Sequence, residues 1–274
     1  MASLSMYFPP RFDLEKAVYL TKLVLAAYDM FQQWNQGGRP PEKDFHWVPN
    51  GPELDYQPPI WGEDRYLRFF KEVEPFGIAG TAADGTSYLA FRGTQTDYDW
   101  YENSEVKHAD YEMAAGYGQV HKGFYRIYQT MSPALRDTLG RLQGNGHLMV
   151  TGHSLGSALS TLAIPDILNH LGFAGVRHYN LASPRTAGPE FARAYNANGV
   201  ETYRIVNTSD LVTNVPPCVI SQHLPVYQHV GTPVDFTAHY GSISGNHDVR
   251  QAYLYALQNP DEPEGDSSTR SRPD

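Results

Sequence analysis

The stretch His147-Leu-Met-Val-Thr-Gly152-His153-Ser154-Leu155-Gly156-Ser157-Ala158-Leu159 decides how this chain is read. A short apolar run, typical of a strand, enters the segment Gly-His-Ser-Leu-Gly. Small and apolar residues with helical character leave it. Gly-x-Ser-x-Gly between a strand and a helix is the pattern of a serine held on a sharp turn. Gly152 and Gly156 remove side chains where such a turn crowds the backbone. Ser154 is then presented at the positive end of the following helix, which favours a developing anion. Taken without its flanks, the pattern is only a glycine-rich turn with a capping serine. The strand before it and the helix after it make Ser154 a nucleophile. His153 is beside it, but neighbours on a sharp turn point in different directions, so His153 reads as structural.

Working outward, residues 13–31 predict a helix, with Asp13 as cap and Leu14, Val18, Thr21, Leu25 and Tyr28 on one face. Residues 35–64 hold many Pro, Gly, Trp and Asp and predict a long ordered loop. Strands are expected at Phe70–Ala79 and Thr86–Phe91, joined by a tight turn at Asp84-Gly85. A helix follows at 121–141 despite Pro133, then strands at His147–Thr151, Gly175–Asn180 and Thr202–Val206. Between the first two of these lies the helix Ser154–Asn169, and Asp248–Gln258 predicts a last helix. Residues 210–245 read as loops and short strands. Alternating strands and helices imply a mostly parallel sheet covered on both faces.

A serine nucleophile needs oxyanion donors, a base and a group that orients the base. Leu155, next after Ser154, supplies one N–H. The strand end Phe91-Arg92-Gly93-Thr94 supplies a loop in which Thr94 offers an N–H and a hydroxyl. Asp210 follows the strand Thr202–Val206 at the correct sheet edge; Asp235 is the rival, and Asp166 lies inside a helix. Among the downstream histidines 223, 229, 239 and 247, His247 immediately precedes the last helix. It is the first choice as base, with His229 and His239 open as alternatives. No His-Glu-x-x-His or tight ligand pair is present, so neither metal nor cofactor is expected.

Composition bounds the rest. The 274 residues carry 21 basic and 30 acidic side chains, a net charge of −9, which disfavours nucleic acid as a partner. No apolar run is long enough for a transmembrane segment. Cys218 is the only cysteine, so no intrachain disulfide exists, and its thiol reads as inert. The charged residues Arg11, Asp13, Glu15 and Lys16 break any leader-like run. A cytoplasmic or leaderless bacterial location is expected; a secreted precursor already relieved of its leader reads identically.

The ordered motifs Phe91-Arg-Gly-Thr94, Asp99-Trp100, Val120-His121-Lys-Gly123-Phe124, Thr151 to Gly156, Tyr179 to Arg185, Ile205-Val-Asn207 through Asp210 to Pro217, and Tyr227-Gln-His-Val-Gly231 together resemble the class 3 lipases, the fungal-type triacylglycerol lipase family. The resemblance runs from the first helix to about Gln258. It implies an α/β-hydrolase fold with a lid. Carried over, Ser154 matches the nucleophile, Asp210 the acid, His247 the C-terminal histidine, and Thr94 and Leu155 the oxyanion donors. His229 falls in the Tyr-x-His-x-Gly segment, which is not the triad histidine. Secreted fungal members carry disulfides; this chain does not. The segment from Trp100 to His121 also differs in composition from the fungal lid.

The expected organisation is one domain over 1–258, a lid at about 98–116 hinged near 97–100 and 116–118, and a mobile tail at 259–274. The expected activity is hydrolysis of a lipid ester, first of all a triacylglycerol. Short-chain or feruloyl-type esters and phospholipids are the alternatives. A non-catalytic scaffold is disfavoured, since no triad residue or turn glycine is missing.

Overall fold

The computed structural model describes residues 6–64, 72–94, 107–142, 144–216 and 226–261. Helix α1 (Leu14–Gln36) starts at Asp13, whose Oδ1 accepts the Lys16 N–H at 3.0 Å. It outruns the predicted 13–31 because its apolar face continues: Met30, Phe31 and Trp34 are all buried. The 35–64 stretch is not only loop. It contains β1 (Asp55–Tyr56) and β2 (Ile60–Asp64), both antiparallel to β3 (Glu72–Thr81). Pro58-Pro59 separates two strands too short to show an alternating pattern. The Asp84-Gly85 turn joins β3 to β4 (Ser87–Phe91), with Asp84 Oδ1 accepting the Thr86 N–H at 2.9 Å.

A small hairpin, β5 (His108–Asp110) with β6 (Gln119–His121), leads into α2 (Lys122–Arg141). Next come β7 (His147–His153), α3 (Leu155–His170), β8 (Gly175–Leu181), α4 (Pro189–Asn196), β9 (Glu201–Asn207) and β10 (Thr232–Phe236). The chain closes with helical turns at Ile243–His247, a π-helical segment at Val249–Leu254, and Tyr255–Gln258.

The main sheet runs β1-β3-β4-β7-β8-β9-β10, with β2 also on β3. From β4 to β10 every pairing is parallel. Both faces are covered, which explains the continuous apolar reading of β7. Leu148 and Val150 face the core formed with α2, α3 and α4; Met149 faces the core formed with α1 and the C-terminal helical segment. Because β4, β7, β8 and β9 are parallel, their C-terminal ends share one edge. Phe91, His153, Leu181 and Asn207 end there, and the loops that follow carry the chemistry.

The lid expected at about 98–116 is described only in its second half. Residues 98–106 lie outside the described residues, as do Cys218, His223 and residues 262–274 of the tail. Tyr111 and Ala114 are buried in the core with α2 and α3. The Tyr111 hydroxyl donates to the Leu162 carbonyl at 2.6 Å, and the Met113 carbonyl accepts from Asn169 at 3.1 Å. Gly116 and Gly118, expected as a hinge, both have positive φ in the connection between β5 and β6. The apolar residues of this half bury against the body of the fold, which weak periodicity could not reveal.

Candidate active site

The turn after β7 is held by backbone crowding. Ser154 has φ 57° and ψ −126°, a conformation that a non-glycine residue adopts only when its surroundings impose it. A Cβ on Gly152 would lie 2.2 Å from the Gly156 carbonyl oxygen. A Cβ on Gly156 would lie 2.5 Å from the carbonyl oxygens of both Phe91 and Arg92. Both glycines therefore permit a close approach that no other residue allows. Ser157 Oγ sits 2.7 Å from the Gly152 carbonyl and 2.6 Å from that of Leu181, bracing the turn from below. Leu155 is the first residue of α3, so its N–H is among those the helix leaves without an internal acceptor.

The Arg92-Gly93-Thr94 loop packs against this turn. A Cβ on Gly93 would fall 2.8 Å from the Ser154 Cβ. Arg92 anchors the loop from inside the protein and is 1% exposed. Its guanidinium pairs with Glu74 at 2.8 Å and donates to the carbonyls of Pro75 and Gly93, each at 2.8 Å. The rings of Phe31 and Phe76 lie 3.8 and 4.6 Å from it. Such a pair is strongly destabilising to break, because a lone charge would stay buried. The sequence reading named the loop but not this anchor.

Asp210 and His247 meet. His247 Nδ1 lies 2.7 Å from Asp210 Oδ2. Asp210 is fully buried; its Oδ1 accepts the Val212 N–H at 2.9 Å, and its Oδ2 accepts the Tyr253 hydroxyl at 2.6 Å. With Nδ1–H given to the carboxylate, His247 keeps Nε2 for accepting a proton. Asn207 ties the end of β9 to this segment, donating to the carbonyls of Ala238 at 3.0 Å and Asn246 at 2.9 Å. His153 connects the pair to the elbow: its Nε2 is 2.9 Å from the His247 carbonyl, and the two rings are 4.6 Å apart. The remaining candidates stand elsewhere. His229 Nε2 donates to the Thr213 carbonyl at 2.9 Å, His239 rests against Ser209, and Asp235 is exposed on β10. Tyr253, Tyr28 and Asn207 were not singled out as site residues, since a tyrosine in a helix reads as core.

With this geometry in view, the chain matches the sequence profile of lipases of class 3 over residues 88–220. Residues 88–220 carry the class 3 lipase signature. A lipase of Rhizomucor miehei is 29% identical over 146 residues, covering 51% of this chain and 40% of the relative. The chloroplastic phospholipase A(1) DAD1 of Arabidopsis thaliana is 31% identical over 151 residues, covering 48% and 34%. The matched segment thus spans less than half of either curated relative. Among solved structures, the Rhizomucor miehei lipase propeptide complex aligns with TM-score 0.63 at 21% identity, over 85% of this chain and 69% of that one. Lipase II of Rhizopus niveus aligns with TM-score 0.61 at 22% identity, over 89% and 84%. The shared fold is the α/β-hydrolase fold. No described helix of the chain is long and apolar enough to cross a membrane.

Proposed function

We propose that this protein is a class 3 lipase that hydrolyses carboxylic esters of lipids, triacylglycerols first among them, through an acyl-enzyme on Ser154. The observation that carries the reading is the buried Asp210–His247 pair at 2.7 Å, set beside a serine on a strained strand-to-helix turn. Ser154 Oγ attacks the acyl carbonyl while His247 Nε2 takes its proton. Asp210 keeps the imidazole in the required tautomer and stabilises the imidazolium. The N–H groups of Leu155 and Thr94 hold the oxyanion, with the Thr94 hydroxyl as a further donor. His247 then protonates the departing alcohol, and water, activated by the same imidazole, releases the acid. Ser154→Ala is expected to abolish tributyrin hydrolysis and labelling by a fluorophosphonate while the melting temperature stays near wild type. Undiminished turnover in that variant sinks the assignment.

A phospholipid substrate is the second reading, favoured by the similarity to a phospholipase A(1). The same machinery cleaves either ester, because the alcohol lies outside the reacting atoms. Initial rates on emulsified triolein, on short-chain and feruloyl esters, and on phosphatidylcholine vesicles rank the candidates. Acid release from triolein exceeding that from the others is the expected result.

A further inference from the structure

Behind Ser154 three segments distant in sequence are joined by a directional chain of hydrogen bonds. His153 Nε2 lies 2.9 Å from the His247 carbonyl oxygen. A carbonyl only accepts, so Nε2 carries the proton and donates it. In the neutral ring Nδ1 is then a lone pair. The Tyr28 hydroxyl, 2.9 Å away, donates to it. The Tyr28 oxygen in turn packs against Gly93. The approach is tight enough that a Cβ on Gly93 would come within 2.5 Å of that oxygen. One end of the chain thus rests on the loop that leads into Thr94, and the other is the backbone of His247.

The chain keeps one polarity. His153 is 3% exposed, and burial together with the neighbouring His247 holds its pKa well below the usual imidazole value. Burial also raises the Tyr28 pKa, so the phenol keeps its proton. Neither group has a reason to exchange donor for acceptor during turnover. Tyr28 itself is carried by α1, whose flanking residues Val24, Ala27, Met30 and Phe31 are buried in the core. The His153 ring also rests against Tyr253, at 5.7 Å, the residue that donates to Asp210.

We propose that Tyr28 and His153 are positioning residues: a hydrogen-bonded rail that sets the oxyanion loop and the backbone of His247 at a constant distance from Ser154 while taking no proton from it. The proposal rests on the hydrolase reading above. It gives α1, remote from the serine in sequence, a part in the reaction. It also separates His153 from a merely space-filling residue, because an isosteric apolar side chain would fill the volume and break the rail at both ends.

Four variants test it: Tyr28→Phe, His153→Leu, His153→Gln, and the double variant Tyr28→Phe with His153→Leu. Rates on p-nitrophenyl butyrate are the first readout. Tyr28→Phe and His153→Leu are expected to lower kcat on the order of ten- to a hundredfold, the scale for misplacing reacting groups by about 1 Å. KM should stay within about twofold, since substrate contacts are untouched. His153→Gln, which retains a donor and an acceptor, should recover much of the loss. The double variant should be no slower than the slower single, because one rail is broken once. The second readout needs no ester. The low-field proton resonance of His247 Nδ1–H, bonded to Asp210, should shift in Tyr28→Phe and in His153→Leu at unchanged melting temperature. Unchanged kcat in Tyr28→Phe, losses that multiply in the double variant, or an unmoved resonance overturns the rail. A wild-type protein that cleaves no ester overturns the hydrolase reading alone, and the resonance still decides the rail.

Discussion

The elbow around Ser154 and the acid–base pair of Asp210 and His247 are built in opposite ways. The elbow is held by contacts among neighbours: Gly152 against Gly156, and Ser157 against the Gly152 carbonyl. Its geometry follows from backbone sterics within a few residues. The pair is held by side chains from every part of the chain: Asp210 after β9, Tyr253 in the π-helical segment, Asn207 bonded to the Asn246 carbonyl, and His153 linked to Tyr28 on α1. A π-helical turn at Val249–Leu254, a form often found at functional sites, carries Tyr253 to Asp210. A nucleophile can therefore be specified locally, whereas its base is specified by tertiary packing.

The comparison is broken most severely at the base. His247→Ala is expected to lower kcat on the order of 10⁵-fold, as loss of a triad base does. His229→Ala and His239→Ala should keep most of the rate; an inactive His229→Ala with an active His247→Ala would move the base to another loop. Asp210→Asn should cost on the order of 10⁴-fold, because the amide favours the wrong imidazole tautomer. Kinetics on a soluble ester measure both.

On the elbow side, the expected damage is to the fold. Gly152→Ala places a methyl 2.2 Å from a carbonyl oxygen, and neither partner is a flexible side chain. A loss of about 3–5 kcal/mol in urea denaturation is expected, together with loss of activity. A stable, active Gly152→Ala protein would show that the turn has room to relax.

A subtler probe lies on β8, against α3. His178 is fully buried between Ser160 Oγ at 2.8 Å and the Tyr195 hydroxyl at 2.6 Å, and burial pushes its pKa down to about 3. The unfolded chain takes up this proton near the ordinary histidine value of about 6.5, while the folded chain does not until about pH 3. Its contribution to stability is therefore complete above that ordinary value and is lost as pH falls toward the folded one. Between pH 6.5 and 5 the loss is about 2 kcal/mol for this residue alone. Urea midpoints at the two pH values read it, and His178→Asn should flatten the slope. The smallest expected effect is that of Tyr253→Phe. It removes one of the donors to Asp210 and should slow kcat about tenfold, roughly the worth of one hydrogen bond to a charged group. An effect as large as that of Asp210→Asn would mean that Tyr253 holds the aspartate in place by itself.

Much of this architecture was legible in the sequence, and the misses share a cause. The predicted strands His147–Thr151, Gly175–Asn180 and Thr202–Val206 lie inside β7, β8 and β9, and the helix after Ser154 is α3. Asp210 was placed by its position after a strand, and it stands at that sheet edge. β1 and β2 escaped because two and five residues broken by prolines carry no period. Residues 107–116 were read as part of a cover from their mixed charge and aromatic content. Within that half Tyr111 reaches the Leu162 carbonyl on α3, a contact that no local pattern announces.

By itself the sequence determined the alternation of strands and helices, the parallel sheet it implies, and the elbow that presents Ser154. These depend on apolar periodicity and on glycine sterics, both of which act over a few residues. Only the tertiary structure decided which histidine meets Asp210, that Arg92 anchors the loop before Thr94, and that α1 reaches the site through Tyr28. Those contacts join residues far apart along the chain, and their geometry is fixed by how α1 and the C-terminal helical segment pack on one face of the sheet. No window of local sequence contains that information.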